Sequence, residues 1–357
     1  MIWLTWRQFR VQAAAMAAAL AALAVILGLT GAGLADDYAS GIAACTAQGG
    51  DCSDFVDRFF RTHRNTDLAV TSGVLVLPAL IGIFWGAPLI ARELDAGTHR
   101  LVWNQSVTRT RWLAVKLGLV GLAAVAVVGL GSLGVEWWSD PIDKAAVAAQ
   151  NVSRIEPPLF GARGIAPMGY AAFAFALGVT LGMLLRRTIP AMALTLAIFV
   201  GLQVAMAELV RPHLITPTRA TVEITPSNVD EFIFLGGPDG PLQVGAQAAE
   251  QGAWVLSGHT VDASGRAVET ITGQRSLSPT SGACAPPEEP PAQQAEGPGE
   301  DLAPCLAELK RLGYRQRVTY QPASHFWPLQ WRETAIYTAL AIALSGFCFW
   351  WLRRRVS

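Results

Sequence analysis

Residues 91–112 read ARELDAGTHRLVWNQSVTRTRW and stand between two stretches that are almost purely apolar. The segment holds four arginines, one glutamate and one aspartate. Ile90, Leu94, Gly97 and Leu101 recur at intervals of four, three and four residues, which is one stripe of a helix. Glu93, Arg100 and Asn104 fall largely off that stripe. The piece is too polar to cross lipid and too patterned for a plain linker. It reads as a short helix lying flat under a bundle of spans, its polar side offered to a soluble partner.

The surrounding chain supports that reading. Of 357 residues, 52% are hydrophobic and 15% charged, against about 25% charged in soluble domains. Crossing a bilayer takes ~20 apolar residues, and six such runs lie near 12–34, 70–90, 113–135, 165–185, 189–209 and 333–352. Arg186, Arg187 and Thr188, followed by Pro190, divide the fourth run from the fifth. Two arginines there are costly in mid-bilayer and mark a tight turn at the membrane surface. Trp3, Trp6 and Phe9 with Arg7 and Arg10 suggest an interfacial elbow helix leading into the first span.

The short loops are charged asymmetrically. Arg7, Arg10, Arg92, Arg100, Arg109, Arg111, Arg186, Arg187 and Arg353–Arg355 collect on one side, while Asp36, Asp37, Asp51, Asp54 and Asp57 collect on the other. By the positive-inside rule both termini and the 91–112 segment face the cytoplasm, and residues 211–332 face outward. Cys45, Cys52, Cys284 and Cys305 then all fall outside, where disulfides persist. Four cysteines allow three pairings. Cys45–Cys52 and Cys284–Cys305 are favoured because each pair is close in sequence.

The large outer segment reads as a small α+β cap. Two β-prone runs flank a turn at Asp262–Gly265. Leu302, Leu306 and Leu309 stand at helical spacing, with Gly313 placed to end the helix. Residues 284–305 are acidic and rich in proline, a flap that builds no core. Phe326, Trp327 and Trp331 then look like an interfacial aromatic belt before the last span. The expected divisions are 1–210, 211–332 and 333–357.

Several chemistries are missing. No G-x-x-x-x-G-K-[ST] phosphate loop, H-E-x-x-H or G-x-S-x-G string occurs, so the familiar ATPase, metalloprotease and esterase sites are not encoded. His63, His99, His213, His259 and His325 are isolated. Glu136, Glu208 and Glu333 fall at the outer ends of spans, not in mid-membrane where ion-coupled carriers keep carboxylates. Thr195 and Gln203 in the fifth span read as helix–helix hydrogen-bond formers ahead of substrate contacts. Energy for transport would come from another chain.

Glu93, Gly97-Thr98, Arg109 and Lys116 together resemble the E-x-x-x-G-T … R … K pattern of ABC-2 type transporter permeases. GTHRLVWNQSVTRTRWLAVKLG and YQPASHFWPLQWRE are similar to an actinobacterial branch of that family. The resemblance covers most of the chain and is weakest over the flap. It implies an all-α polytopic membrane protein of six transmembrane helices, with an elbow helix, a coupling helix at 91–105 between spans two and three, and an extracytoplasmic cap between spans five and six. It further implies a permease subunit of an exporter in the bacterial cell membrane, which is not itself an enzyme. Its partners would be a separate ATPase subunit carrying ATP and Mg, a second permease chain and membrane lipids, with no nucleic acid.

Under that resemblance Glu93, Asp95, Gly97, Thr98, Arg100 and Asn104 dock the ATPase. Glu93 meets a basic residue there or pairs internally with Arg92 or Arg100. Arg109, Arg111 and Lys116 anchor the start of span three, the Lys116 stem snorkelling to the surface. The competing reading is a sensor or immunity protein whose cap binds a peptide or an antibiotic.

Overall fold

The computed structural model describes residues 2–49, 52–95, 108–148, 153–226, 228–235, 240–246, 250–285 and 302–355. It divides into two units: a helical one, comprising residues up to Ile215 and from His325 onward, and a smaller one, Thr216–Ser324.

Among its described residues the helical unit contains six helices long and apolar enough to cross a membrane. In chain order its elements are α1 (Ile2–Ala47), α2 (Ser53–Ile81), a π-turn (Gly82–Gly86), α3 (Ala87–Asp95), α4 (Arg109–Ala148), α5 (Pro157–Phe160), α6 (Ala166–Leu185), α7 (Thr188–Ala205), a second π-turn (Met206–Val210) and α8 (Arg211–Leu214). The last is the long helix Phe326–Arg355. The fourth and fifth spans meet as the two arginines suggest. Arg186 ends α6 in the left-handed conformation and Arg187 is extended before α7. A non-glycine residue at that φ costs ~1–2 kcal/mol, and here it leaves both arginines exposed at the turn.

Three expectations need correction. α1 is one unbroken helix from Ile2, so no separate elbow precedes the first span. The acidic stretch after the first span is not a loop: α1 continues to Ala47 and α2 begins at Ser53. At 1.5 Å per residue α1 is about 70 Å long, far beyond the ~30 Å hydrocarbon core. Its overshoot, the start of α2 and the end of α4 share a second core of Leu34, Val56, Phe59, Phe60, Val135, Trp138 and Ile142. Asp36 and Asp37 stay exposed on the far side. Cys45–Cys52 joins α1 to α2 there. Third, the last helix begins at Phe326, and Phe326 is buried; Trp327 and Trp331 are the exposed aromatics.

Between α6 and the α2–α3 rod, glycines let two backbones touch. A Cβ on Gly178 would lie 2.3 Å from the Gly82 carbonyl oxygen and 2.7 Å from the Ala87 nitrogen. Small residues four apart permit such crossings in membranes, where packing replaces the hydrophobic effect. Gly178→Ala should therefore destabilise the bundle by about 1–3 kcal/mol through overpacking. Gly201→Ala on α7, where nothing lies within 4 Å, should be neutral or mildly stabilising. Denaturation of the two variants in detergent compares them directly.

Among the described residues the smaller unit has six strands and one longer helix. β1 (Thr218–Val222), β4 (Trp254–Val261), β5 (Ala267–Val268) and β6 (Arg315–Gln321) form an antiparallel sheet in the order β1-β6-β4-β5. β2 (Val229–Phe234) pairs antiparallel with β3 (Leu242–Ala246). The Asp262–Gly265 turn forms as the sequence suggests: Asp262 Oδ1 accepts from the Ser264 and Arg266 amides, and Gly265 has φ +81°. The helix α9 (Ala303–Arg311) buries Leu306 and Leu309 against Leu242, Val244, Ile271 and Leu277. Cys284–Cys305 ties its first turn to the preceding chain. The Arg311 guanidinium, and then Ser276, hold the half-buried Glu308 carboxyl down to about 2, so this pair is ionised throughout the neutral range.

Candidate coupling site and the polar contacts behind it

The polar segment between spans two and three is described only at its edges. Gly97, Thr98, Arg100 and Asn104 lie outside the described residues. Glu93 and Asp95 end α3, whose Ala87, Ile90 and Ala91 are buried while Arg92 and Asp95 are exposed. Across the gap, α4 starts at Arg109, with Arg109 and Arg111 exposed in its first turn and the Thr108 hydroxyl accepting the Arg111 amide at 3.4 Å.

An ion pair joins the two edges. Lys116 Nζ donates to Glu93 Oε1 at 2.5 Å, with 3% of the lysine side chain and 14% of the glutamate exposed. The ammonium also lies 4.8 Å from the centre of the buried Trp112 ring, a cation–π contact. Lys116 therefore turns inward and does not snorkel to the surface. This lysine is an internal partner of Glu93. Neither the sequence distance nor the helical stripe signals it, because the two residues sit on different helices.

At the other end of the spans lie buried ionic groups. Arg163 is fully buried, with Nη2 2.8 Å from Asp67 Oδ1 and 3.5 Å from Asp143 Oδ1, and Nη1 3.2 Å from the Thr71 hydroxyl. Arg211 Nε and Nη2 donate to both oxygens of the fully buried Glu333 at 2.8 and 2.9 Å, and the Tyr170 hydroxyl donates to Glu333 at 2.5 Å. Arg211 also lies 4.3 Å over the Phe160 ring. Glu333 is thus not an exposed outer-end acid, whereas Glu208 is exposed. The Tyr337 hydroxyl donates to Gln203 at 2.6 Å, linking the last helix to α7. Thr195 bonds only back to the Ala191 carbonyl on its own helix. Sequence reasoning missed Asp67, Arg163 and Arg211. The available signal was an arginine placed among apolar residues on the acid-rich side.

Taken together these features define a multi-pass membrane protein with buried ion pairs between its spans. The family model described as ABC-2 membrane transporter related matches residues 17–211, more than half of the chain, and the chain belongs to that family. Its members are the membrane components that work with an ABC ATPase. No curated protein and no solved structure matches the chain.

Proposed function

We propose that this chain is the permease subunit of an ATP-binding cassette exporter, two permease chains assembling with two ATPase chains that bind ATP and Mg. The observation that carries the reading is the family match over 17–211, which spans the whole polar segment between spans two and three. Residues 91–105 are the coupling helix. Glu93, Asp95, Gly97, Thr98, Arg100 and Asn104 form or support its ATPase-facing surface, and Arg109 and Arg111 hold the start of span three at the headgroups. Both termini are cytoplasmic, and Thr216–Ser324 is an extracytoplasmic cap. Most buried polar side chains of the spans find partners within the protein, on another helix or on their own backbone, which supports an apolar path suited to a lipid-like or otherwise hydrophobic substrate.

The test is capture of the tagged chain from its native membrane. An ABC ATPase should co-purify with the intact chain and be lost when residues 96–107 are replaced by a Gly/Ser linker. A chain that binds no ATPase in either form is not a permease subunit. The cap has a core of its own, which favours a second reading as a receptor for a peptide or antibiotic. Under that reading, removal of Thr216–Ser324 abolishes the cellular response and leaves the ATPase bound.

A further inference from the structure

Between α4 and α6 the described residues 153–165 are mostly outside helices, yet mostly buried. From Ser153 to Ile165 the chain runs in turns around the single-turn α5, with Ile155, Phe160, Ala162 and Arg163 inaccessible. Counting from Arg109, Ser132 lies about 35 Å along α4, roughly one hydrocarbon thickness. The Ser132 hydroxyl stands 3.1 Å from the Gly164 carbonyl, so the connector crosses the bundle near the end of its membrane layer. The second core, which includes Ala162, covers it.

Irregular backbone at such a level is tolerated only where protein or a water-filled cavity satisfies it. Here side chains do so. The Gly164 amide donates to Glu136 at 3.1 Å. The Ile165 and Ala166 amides donate to Gln330 Oε1 at 3.1 and 2.7 Å, and Gln330 Nε2 donates to the Phe160 carbonyl at 3.1 Å. Gly164 needs its left-handed φ of +64°, and a Cβ there would lie 2.9 Å from Gln330 Oε1. The Arg163 guanidinium adds Asp67 and Thr71 on α2 and Asp143 on α4. Contacts made by side chains can be exchanged without unwinding any span.

The helices that hold the connector also carry the Glu93–Lys116 pair. Asp67 lies about 26 residues before Glu93 on the α2–α3 rod, and Asp143 about 27 after Lys116 on α4, about 40 Å in each case. Each rod therefore carries the ion pair at one point and a contact to Arg163 farther along. Rigid elements with two discrete end arrangements are the physical means of carrying such coupling.

We infer that residues 153–165 are the gate of the transport path at the end opposite the ATPase, with Arg163 the positioning residue that latches it to spans two and three. This rests on the permease reading. When ATP-driven motion shifts the α2–α3 rod against α4, the Asp67–Arg163–Asp143 geometry no longer closes and the connector leaves its seat.

The test uses the complete transporter with its ATPase in nanodiscs. Cys348, the only cysteine outside a disulfide, is changed to alanine. Ala162→Cys then reports gate opening to a membrane-impermeant maleimide, with Ile155→Cys as a second reporter should the first not fold. Labelling should be at least about tenfold faster during ATP turnover than with ADP, as expected of a state made dominant by the nucleotide. Val128→Cys, buried within α4, should stay unlabelled. Arg163→Met should give fast labelling without ATP, and Arg163→Lys, which keeps the charge but not the fork, should partly restore the ATP dependence. Hydrolysis with equal labelling in both nucleotides overturns the gate and leaves the permease reading intact. Slow labelling of Arg163→Met without ATP removes the latch role. A chain that captures no ATPase overturns the permease reading itself.

Discussion

Arg211→Met is expected to lower the stability of the helical unit by about 3–5 kcal/mol, the usual cost of leaving one member of a buried ion pair alone. Glu333 is fully buried and takes a bidentate bond from Arg211 together with the Tyr170 hydroxyl. Without the guanidinium its carboxylate keeps one donor in an apolar surround. Glu333→Leu should cost a similar amount, since Arg211 already has one buried Nη1 without a partner and would then lose both charged contacts. The double variant should be more stable than either single one, because neither charge is stranded. It should still fall short of the parent, as the Tyr170 hydroxyl loses its acceptor at a cost of ~1–3 kcal/mol. Adding Tyr170→Phe should recover most of that. A denaturation cycle over the four proteins in one detergent measures the coupling. Additive losses for Arg211→Met and Glu333→Leu would show that the pair does not act as a unit. Domains are stable by only about 5–15 kcal/mol, so the single variants should also accumulate poorly in cells.

What the sequence revealed and what it hid follow one physical rule. Signals within one helical turn or one hairpin were readable. The apolar runs located the spans, Arg186-Arg187 located a surface turn, and Asp262–Gly265 located a hairpin. Gly313, with φ +82° after α9, marked the end of a helix as expected. Contacts between distant segments were not readable. Asp67 and Arg163 are 96 positions apart and Arg211 and Glu333 are 122 apart, so nothing local links their charges. The overshoot of α1 and α2 was hidden for another reason. Asp36, Asp37, Asp54 and Asp57 look like loop residues in a membrane protein, but they belong to helices whose opposite face is apolar, with Val56, Phe59 and Phe60 turned inward. Charge-based topology sees the acids and not the stripe behind them. In the coupling region Glu93 has an internal partner other than the Arg92 or Arg100 that the sequence offers, namely Lys116. Lys116 reads as an anchor by position, and only tertiary packing turns it toward α3.

Exchanging the two charges, Glu93→Lys with Lys116→Glu, should restore most of the coupling between ATP hydrolysis and transport that either single change destroys. The reasoning starts from burial. Glu93 and Lys116 form an ion pair that joins the end of α3 to the start of α4, and both side chains are largely withdrawn from water. Either single reversal places two like charges at contact distance, so the span ends are pushed apart. A loss of about 3 kcal/mol at that joint corresponds to more than a hundredfold weaker preference for the closed arrangement. A push on the segment between them would then be absorbed locally instead of moving the α2–α3 rod and α4. Hydrolysis should persist in the single variants while transport falls by at least about tenfold, which separates a loose joint from a lost ATPase site. The exchanged pair has the same attraction, so the joint should close again. If Glu93 instead serves mainly to grip a basic residue of the ATPase, the exchange cannot help, because a lysine would still face that cation. Proteoliposomes assayed for hydrolysis and transport in parallel decide between them: recovery in the double variant assigns Glu93 to the joint, and failure to recover, with the ATPase still bound, assigns it to the docking surface.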